Sequence, residues 1–399
     1  MTQKQTRINS ARTNITSSHQ QKKIQKPKIK TGEFDKPFFI LIMALMVIGL
    51  VMMFSASYYW GITKNGDGFY YAKKQIGISA AGIAAMIFIS FFDYHYFLNK
   101  KFVTIIFVGA LGLLAITPFV GIERNDAKRW IKIGIEFQPS EIMKFAVIVL
   151  FAYLIAKNYR KMKTFRYGIL PFFAILGVIA GLMMLQPHLS GTLLIFSIGL
   201  VMIFVGGAKI KHLVTLAAVG LSGLAATVLM LIATGKSTYF LARFQSWLDP
   251  FSDQTGKTWQ TCQSLIAIGS GGLFGMGLGE SRQKYLYLPE AQNDFVFSIV
   301  CEELGLIGAI LVILLFVIFS FRGFYIASKA PDKFGMMLAV GLTAQISIQA
   351  ILNIAVVTNT VPNTGISLPF FSFGGTALAM QLAQMGVILN ISRQSLVED

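Results

Sequence analysis

The sequence predicts an all-α polytopic membrane protein. Of its 399 residues, 54% are hydrophobic and only 13% are charged, whereas a soluble domain carries about a quarter charged residues. Long apolar runs recur along the chain, and each is long enough to cross roughly 30 Å of hydrocarbon as a helix. The runs lack the alternation of barrel strands, so helices are expected to satisfy their backbone polar groups in lipid.

Ten such runs are expected to be transmembrane helices. The fifth and sixth are separated only by Gln186-Pro187-His188, where proline removes a backbone donor and favours a break. Two cysteines, Cys262 and Cys301, exclude a disulfide framework. The runs occupy residues 37–57, 75–93, 102–121, 140–156, 168–186, 189–207, 212–234, 295–321, 335–358 and 370–392.

Residues 1–36 are expected to form a disordered basic tail in the cytoplasm. The tail holds nine Lys/Arg against Glu33 and Asp35, in a polar sequence with too few apolar residues to fold. With the tail inside, 22 of the 35 Lys/Arg lie inside and twelve outside, and an even number of spans returns residues 394–399 to the cytoplasm. The net charge of +17 therefore indicates a topology anchor beside anionic headgroups, not nucleic-acid binding.

In this orientation the predicted functional residues lie on the outer face of the membrane. Residues 235–294 form a loop of about sixty residues between helices 7 and 8, far longer than a helix connection needs. The glycine-rich run at 269–279 is expected to serve close backbone packing or a half-inserted turn. Most of the outward-facing acids lie in the loop: Asp249, Asp253, Glu280, Glu290 and Asp294.

The mouth of span eight carries the first group of candidate site residues. Asp294 lies where the span begins, after Arg282 and Lys284, two basic residues that could bind a pyrophosphate. The structural alternative is that Asp294 is a helix N-cap and the two cations are interfacial anchors. Arg129, beside Trp130 in the second outer loop, could also contact phosphate or serve as an anchor.

Charged residues within the spans form the second group, because such charges are costly and usually line a cavity. Glu141 and Lys144 lie three residues apart on one face of span four, so a structural ion pair accounts for them equally well. Glu302 lies eight residues beyond Asp294 and points within roughly 80° of the same helical direction. The residues alone thus indicate a ten-span membrane protein with an outward polar site.

Motifs in order along the chain resemble those of the FtsW/RodA/SpoVE (SEDS) family. The likeness covers about residues 37 to 393 and is closest to the FtsW/SpoVE branch. His188, Asn359 and Phe373 depart from the residues common in the family, which are Asp, Gly and Tyr. The motifs are RWI at 129–131, QPSEIMK at 138–144, GMGLG at 275–279, DFVF at 294–297, EELG at 302–305, NIAVVT at 353–358 and VPNTGISLPFFSFGGT at 361–376.

The resemblance implies a SEDS-type ten-helix membrane domain over 37–393. Its implied activity is that of a peptidoglycan glycosyltransferase, which polymerises lipid II into β-1,4-linked glycan on the outer face of the cytoplasmic membrane, in cell division or in septum or spore cortex synthesis. The implied partners are a class B penicillin-binding transpeptidase and other divisome membrane proteins, and no nucleic acid.

The resemblance also implies roles for individual residues. The family's essential aspartate falls on Asp294, which would be the catalytic general base, and the acid and base of its fourth span fall on Glu141 and Lys144. Candidate substrate contacts are Arg282, Lys284, Arg129, Glu141, Lys144 and Glu302. The sequence requires no cofactor, although a divalent cation (Mg²⁺ or Mn²⁺) could neutralise the pyrophosphate, and the identity of any metal is unknown.

Two other functions fit the same residues. A lipid II flippase would use Glu141, Lys144 and Glu302 to line a polar path. The sequence shows no internal repeat, however, and its largest elaboration lies on one face of the membrane and not at the midplane. A non-catalytic divisome scaffold would need only the lipid-facing helices.

Overall fold

A computed structural model of the chain describes residues 32–124, 127–186, 188–215, 218, 222, 246–256 and 258–395. The predicted tail up to residue 31, most of the predicted seventh span and residues 235–245 of the outer loop lie outside these ranges. Within them, seven helices are long and apolar enough to cross a membrane. The chain is thus an all-α polytopic membrane protein, and the count of ten spans stays a prediction.

The described helices follow one another along the chain, mostly with short connections. They are α1 (Lys36–Asn65), α2 (Tyr70–Ser90), α3 (Lys100–Val120), α4 (Pro139–Asn158), α5 (Phe165–Gly168), α6 (Leu170–Met184), α7 (Leu189–Val205), α8 (Trp259–Ser270), α9 (Val296–Ser328), α10 (Lys333–Val357) and α11 (Thr376–Gln394). Short 3₁₀ helices occupy Tyr94–Leu98 and Tyr159–Lys161.

Local sequence explains where several helices begin and end. Asp35 precedes α1 and accepts a hydrogen bond from the Phe38 N–H, and Gly66 ends that helix in the left-handed conformation. Asp332 caps α10 in the same way, since its carboxylate accepts from the N–H groups of Phe334 and Gly335. These caps satisfy backbone groups that the helix termini leave open.

Several helices differ from the predicted spans. Helix α1 continues to Asn65, eight residues beyond its predicted end. The predicted fifth span, 168–186, corresponds to α6, and the short helix α5 precedes it with a break at Ile169. Helix α9 continues to Ser328, seven residues beyond its predicted end, and is broken at Gly305, whose φ is 67°. The last helix begins at Thr376 and not near 370, because residues 358–375 form a loop that folds over the end of the bundle.

A small antiparallel sheet, which the sequence analysis did not predict, lies between α3 and α4. Its strands are β1 (Ile122–Arg124), β2 (Ala127–Ile133) and β3 (Ile135–Phe137), in the order β1-β2-β3. Gly134 has a φ of 73° and makes the turn between β2 and β3. We call the end of the bundle that carries this sheet and the segments 271–295 and 358–375 the hairpin end.

The opposite end, called here the terminal end, holds residues 32–35 and 393–395. There the guanidinium of Arg322 makes three hydrogen bonds to the Asp35 carboxylate, the shortest at 2.7 Å. Asp332 accepts a hydrogen bond from the Tyr94 hydroxyl and lies 3.1 Å from His95 Nε2. These contacts join the start of α1 to α9, and the 3₁₀ helix Tyr94–Leu98 to the start of α10.

Helix α10 is the most enclosed of the seven apolar helices. It packs against α4, α7, α9 and α11. Three of its buried side chains are amides spaced four residues apart, so they share one helical face: Gln345, Gln349 and Asn353. The Gln345 amide donates to Gln384 Oε1 on α11 at 2.9 Å.

Helices α2 and α11 approach closely at Gly386, and this contact yields a stability prediction. A Cβ at Gly386 would lie 2.5 Å from the carbonyl oxygen of Met86. We expect Gly386→Ala to lower the free energy of unfolding by about 1–3 kcal/mol, because the two backbones must separate. The matched control is Gly112→Ala on α3, where a Cβ meets nothing within 4 Å. Thermal unfolding in detergent checks both variants, and an unchanged midpoint in Gly386→Ala would contradict the observed packing.

Candidate functional site

Asp294 lies at the hairpin end, in the turn immediately before α9. The helix begins at Val296 with Phe295 at its N-cap, so Asp294 precedes the N-cap position that the structural alternative assigned to it. The Asp294 N–H donates to the Glu290 carbonyl at 3.2 Å, and its own carbonyl accepts from Asn353 Nδ2 at 2.8 Å. The backbone is therefore held on both sides, and the carboxylate is half-buried.

The loop after α10 approaches this carboxylate at Gly365. A Cβ there would lie 3.1 Å from Asp294 Oδ2, and the φ of Gly365 is 69°. Glycine is thus needed both for the left-handed backbone and for the close approach. We call residues 365–367 the bridge segment.

Two amides of α10 hold the bridge segment in place. Asn353 Nδ2 donates to the Ile366 carbonyl at 2.6 Å, in addition to its contact with Asp294. One turn earlier, Gln349 Nε2 donates to the Ser367 carbonyl at 3.0 Å. The same face of one helix therefore positions both Asp294 and the loop that faces it.

The predicted pair in span four lies on the other side of Gln349. Lys144 Nζ is 2.7 Å from Glu141 Oε2, and it donates to Gln349 Oε1 at 3.4 Å. Only 3% of the Lys144 side chain is exposed, so its charge is balanced inside the protein. Gln349 thus connects this ion pair to the bridge segment, and through it to Asp294.

Arg129 belongs to the same polar region. It lies on β2, and its Nε donates to the Gln186 carbonyl at 3.4 Å. Its neighbour His188 is buried in the connection between α6 and α7. Burial, together with the nearby charges of Arg129 and Lys144, lowers the pKa of His188 to about 3, so this imidazole is neutral.

Lys284 and Glu302, which the sequence analysis placed among the substrate contacts, lie in a separate buried cluster. Lys284 Nζ contacts Glu303 Oε1 at 3.1 Å and Ser55 Oγ at 3.2 Å, and donates to the Gly279 carbonyl. Only 4% of the Lys284 side chain is exposed. Its ammonium is thus enclosed by protein ligands, and the structure does not favour a pyrophosphate contact for it.

Glu302 also turns away from Asp294. Its carboxylate accepts from the Ser281 hydroxyl and from the N–H groups of Arg282 and Gln283. It therefore holds the preceding loop onto α9 and does not line a cavity beside Asp294. The Arg282 side chain is exposed at the hairpin end, where it stays a candidate for substrate contact.

The glycine-rich run packs its backbone into the break in α9, and this confirms its predicted structural role. A Cβ on Gly271 would lie 1.9 Å from the Cys301 carbonyl oxygen, and one on Gly275 would lie 2.1 Å from that of Glu303. The N–H groups of Met276 and Gly277 donate to the carbonyls of residues 302 and 303. The loop thus satisfies acceptors that the left-handed Gly305 releases from the helical pattern.

Three residues that organise the site were not among the predicted site residues: Gln349, Asn353 and Ser367. The signal for Gln349 was present, because amides at 345, 349 and 353 form a polar stripe in an otherwise apolar span, and such residues are costly in lipid. Ser367 carries no comparable signal, since its role depends on how the loop folds back.

The residues near Asp294 suit a metal that is shared with the substrate. Among the described residues, no group of three or more His, Cys, Asp or Glu could hold a metal ion. Mg²⁺ is commonly bound by one or two carboxylates together with substrate phosphates. Asp294 is a carboxylate of that kind and could contribute one ligand to such an ion, so a divalent cation stays a prediction.

Comparisons with known proteins agree along almost the whole chain. A family model described as "Cell cycle protein" (FTSW_RODA_SPOVE) matches residues 35–396. Stage V sporulation protein E of Bacillus subtilis (strain 168) is 42% identical over 362 residues, which cover 90% of this chain and 97% of that protein. A protein of Geobacter sp. (strain M18) named probable peptidoglycan glycosyltransferase FtsW is 36% identical over 90% of this chain and 96% of its own length.

Solved structures share the fold. One chain from a structure titled "Structural coordination of polymerization and crosslinking by a peptidoglycan synthase complex" has a TM-score of 0.73 and 24% identity, covering 92% of this chain and 99% of that one. The rod shape determining protein RodA of Thermus thermophilus has a TM-score of 0.66 and 25% identity, covering 92% of this chain and 98% of its own.

Proposed function

The chain belongs to the FtsW/RodA/SpoVE family, and we infer that it is a peptidoglycan glycosyltransferase. Curated relatives at 35–36% identity are named probable peptidoglycan glycosyltransferases. One geometric observation carries the assignment of its site. The half-buried carboxylate of Asp294 faces the bridge segment, and the other side of that segment is tied through Gln349 to the cation of Lys144.

The proposed substrate is lipid II, and the proposed site faces outward from the cytoplasmic membrane. Basic residues support this orientation, because Arg322, Lys329 and Lys333 lie at or near the terminal end and the Lys/Arg-rich tail precedes it. Both termini are then cytoplasmic, and the hairpin end faces the growing wall. A lipid-linked donor reaches this end from the bilayer with its pyrophosphate at the headgroup level.

In the proposed mechanism Asp294 is the general base. It takes the proton of the acceptor's sugar 4-hydroxyl as that oxygen attacks the anomeric carbon of the donor. The new bond joins the acceptor oxygen to that carbon, and the bond to the pyrophosphate breaks with its electron pair leaving on the polyprenyl pyrophosphate. One inversion at an α-linked donor gives the β-1,4 linkage, so a single base suffices.

The leaving pyrophosphate needs positive charge and no general acid. Arg129 and Lys144 are proposed for this role because both lie in the polar region that adjoins the bridge segment. Lys144 is as buried as Lys284, so it must release its contact with Glu141 to reach a pyrophosphate. The exposed Arg282 and a divalent cation brought with the substrate are further sources of positive charge. The proposed partners are a class B penicillin-binding transpeptidase and other divisome membrane proteins.

The first test removes the proposed base. We expect Asp294→Asn to lower glycan polymerisation by at least about 100-fold, because the amide keeps the shape and cannot accept the proton. The assay gives purified, reconstituted protein labelled lipid II and resolves the glycan products on gels. The matched control is Glu280→Gln, an exposed acid of the same loop, which should polymerise normally. Normal polymer from Asp294→Asn would remove this residue from the mechanism, and translocation of lipid II without polymer would indicate a flippase.

The second test separates a substrate-binding role of Lys144 from a purely structural one. Lys144→Met should lower the free energy of unfolding by about 3–5 kcal/mol, because Glu141 is left as an unpaired buried charge. Adding Glu141→Gln removes that charge and should restore the thermal midpoint, whereas polymerisation should stay low. Recovery of polymerisation in the double variant would show that the pair serves only to stabilise the fold.

A further inference from the structure

We propose that His188 is a positioning residue, a neutral imidazole that fixes the start of α4 against the start of α7 and thereby sets the place of Lys144 in the site. The proposal rests on the glycosyltransferase function inferred above. It is carried by three observations: the hydrogen bonds of the ring, the space that Gly191 leaves for it, and the charges around it.

The hydrogen bonds assign a single neutral tautomer to the ring. Gln138 Nε2 lies 2.9 Å from His188 Nε2, and an amide nitrogen can only donate, so Nε2 is the acceptor. The hydroxyl of Ser140 lies 3.3 Å from the same nitrogen and can donate to it as well. The proton is therefore on Nδ1, which faces Ser190 Oγ at 3.4 Å. A proton on Nε2 would point at the Gln138 amide hydrogens.

Gly191 makes room for this position of the ring. A Cβ on Gly191 would lie 2.6 Å from His188 Nε2 and equally close to the terminal methyl of Met183. Gly191 lies in the first turn of α7, and its φ is not in the left-handed region. Nothing in the backbone thus requires glycine there, and the imidazole of His188 together with the end of the flexible Met183 side chain fills the space that a larger residue would need.

Charged groups from the packed elements keep the ring neutral. Arg129 approaches from β2 and Lys144 from α4, and their charges add to burial in disfavouring the imidazolium. Glu141, on the same helix, is paired with Lys144 and is not available to stabilise a protonated ring. The ring therefore cannot serve as a general acid or base near neutral pH.

The ring of His188 holds the first turn of α4, the helix that carries the Glu141–Lys144 ion pair. Gln138 is the N-cap residue of α4, and its side chain makes no cap hydrogen bond because it is turned toward His188. Ser140, Glu141 and Lys144 follow within two turns. Release of this contact would let α4 shift relative to Gln349, and the cation with it. Misplacement by about 1 Å near reacting atoms can cost up to about 100-fold in rate.

Five variants test the proposal. His188→Gln places a neutral acceptor near the Nε2 position and should keep kcat within about threefold of wild type, whereas His188→Leu should lose about tenfold or more in kcat with a smaller change in KM. Gly191→Ala should cause a similar loss, because it displaces the ring without changing its chemistry. In a His188→Ala background the same Gly191→Ala change should add little, because the ring it displaces is gone. Steady-state polymerisation of labelled lipid II measures all of these.

A second readout does not depend on activity. Because the folded-state pKa of His188 lies below that of the unfolded chain, the unfolded chain binds more protons in the window between about pH 6.5 and 3, and stability is lost as the pH falls through it. The thermal midpoint of wild type should therefore fall more steeply than that of His188→Gln on acidification from about pH 7 to 5.

The outcomes separate the two proposals. Wild-type kinetics in both His188→Leu and Gly191→Ala would overturn the positioning role while leaving the glycosyltransferase function intact. Loss of a limb of the pH–rate profile near neutrality in His188→Gln would also overturn it, because it would make the ring a titrating group. A wild-type protein that makes no polymer would overturn the proposed function, and the positioning role of His188 in that function with it. The two acidification curves would still decide whether the ring is neutral.

Discussion

The polar stripe on α10 is the constraint on which the rest of the structure depends. Amides buried in a membrane helix must find partners within the protein, because an unsatisfied group in hydrocarbon costs several kcal/mol. Gln345 finds its partner on α11, Gln349 on α4 and in the bridge segment, and Asn353 in the turn before α9. One helical face therefore fixes the positions of the elements that carry the site.

The break in α9 at the hairpin end also leaves buried polar groups that need hydrogen-bond partners. The left-handed Gly305 interrupts α9 and frees the carbonyls of residues 302 and 303, which the glycine-rich loop then satisfies. The buried Lys284 and Glu303 add charge balance to this junction. The result is a rigid support for the short helical segment that begins just after Asp294.

Two buried lysines, Lys284 and Lys144, differ in their surroundings. Lys284 is enclosed by a carboxylate, a hydroxyl and a carbonyl, which together bind its ammonium. Lys144 has one carboxylate and one amide, and it lies beside Arg129 with a neutral imidazole between the helix starts. Both lysines are thus buried and paired with a carboxylate, and they differ in the groups that complete their surroundings.

The sequence by itself determined the class of fold, most of the described spans and the Glu141–Lys144 pair. Hydropathy and spacing along one helix are local properties, and bilayer thickness converts them directly into structure. The family motifs also located Asp294. The short sheet at 122–137, the break at Gly305 and the separation of Lys284 from the site were decided only by the tertiary structure. From the sequence Lys284 was predicted to contact substrate. In the structure its ammonium contacts the hydroxyl of Ser55, a residue 229 positions away. Whether a charge is available to a ligand depends on which distant groups neutralise it, and local spacing carries no information about those groups.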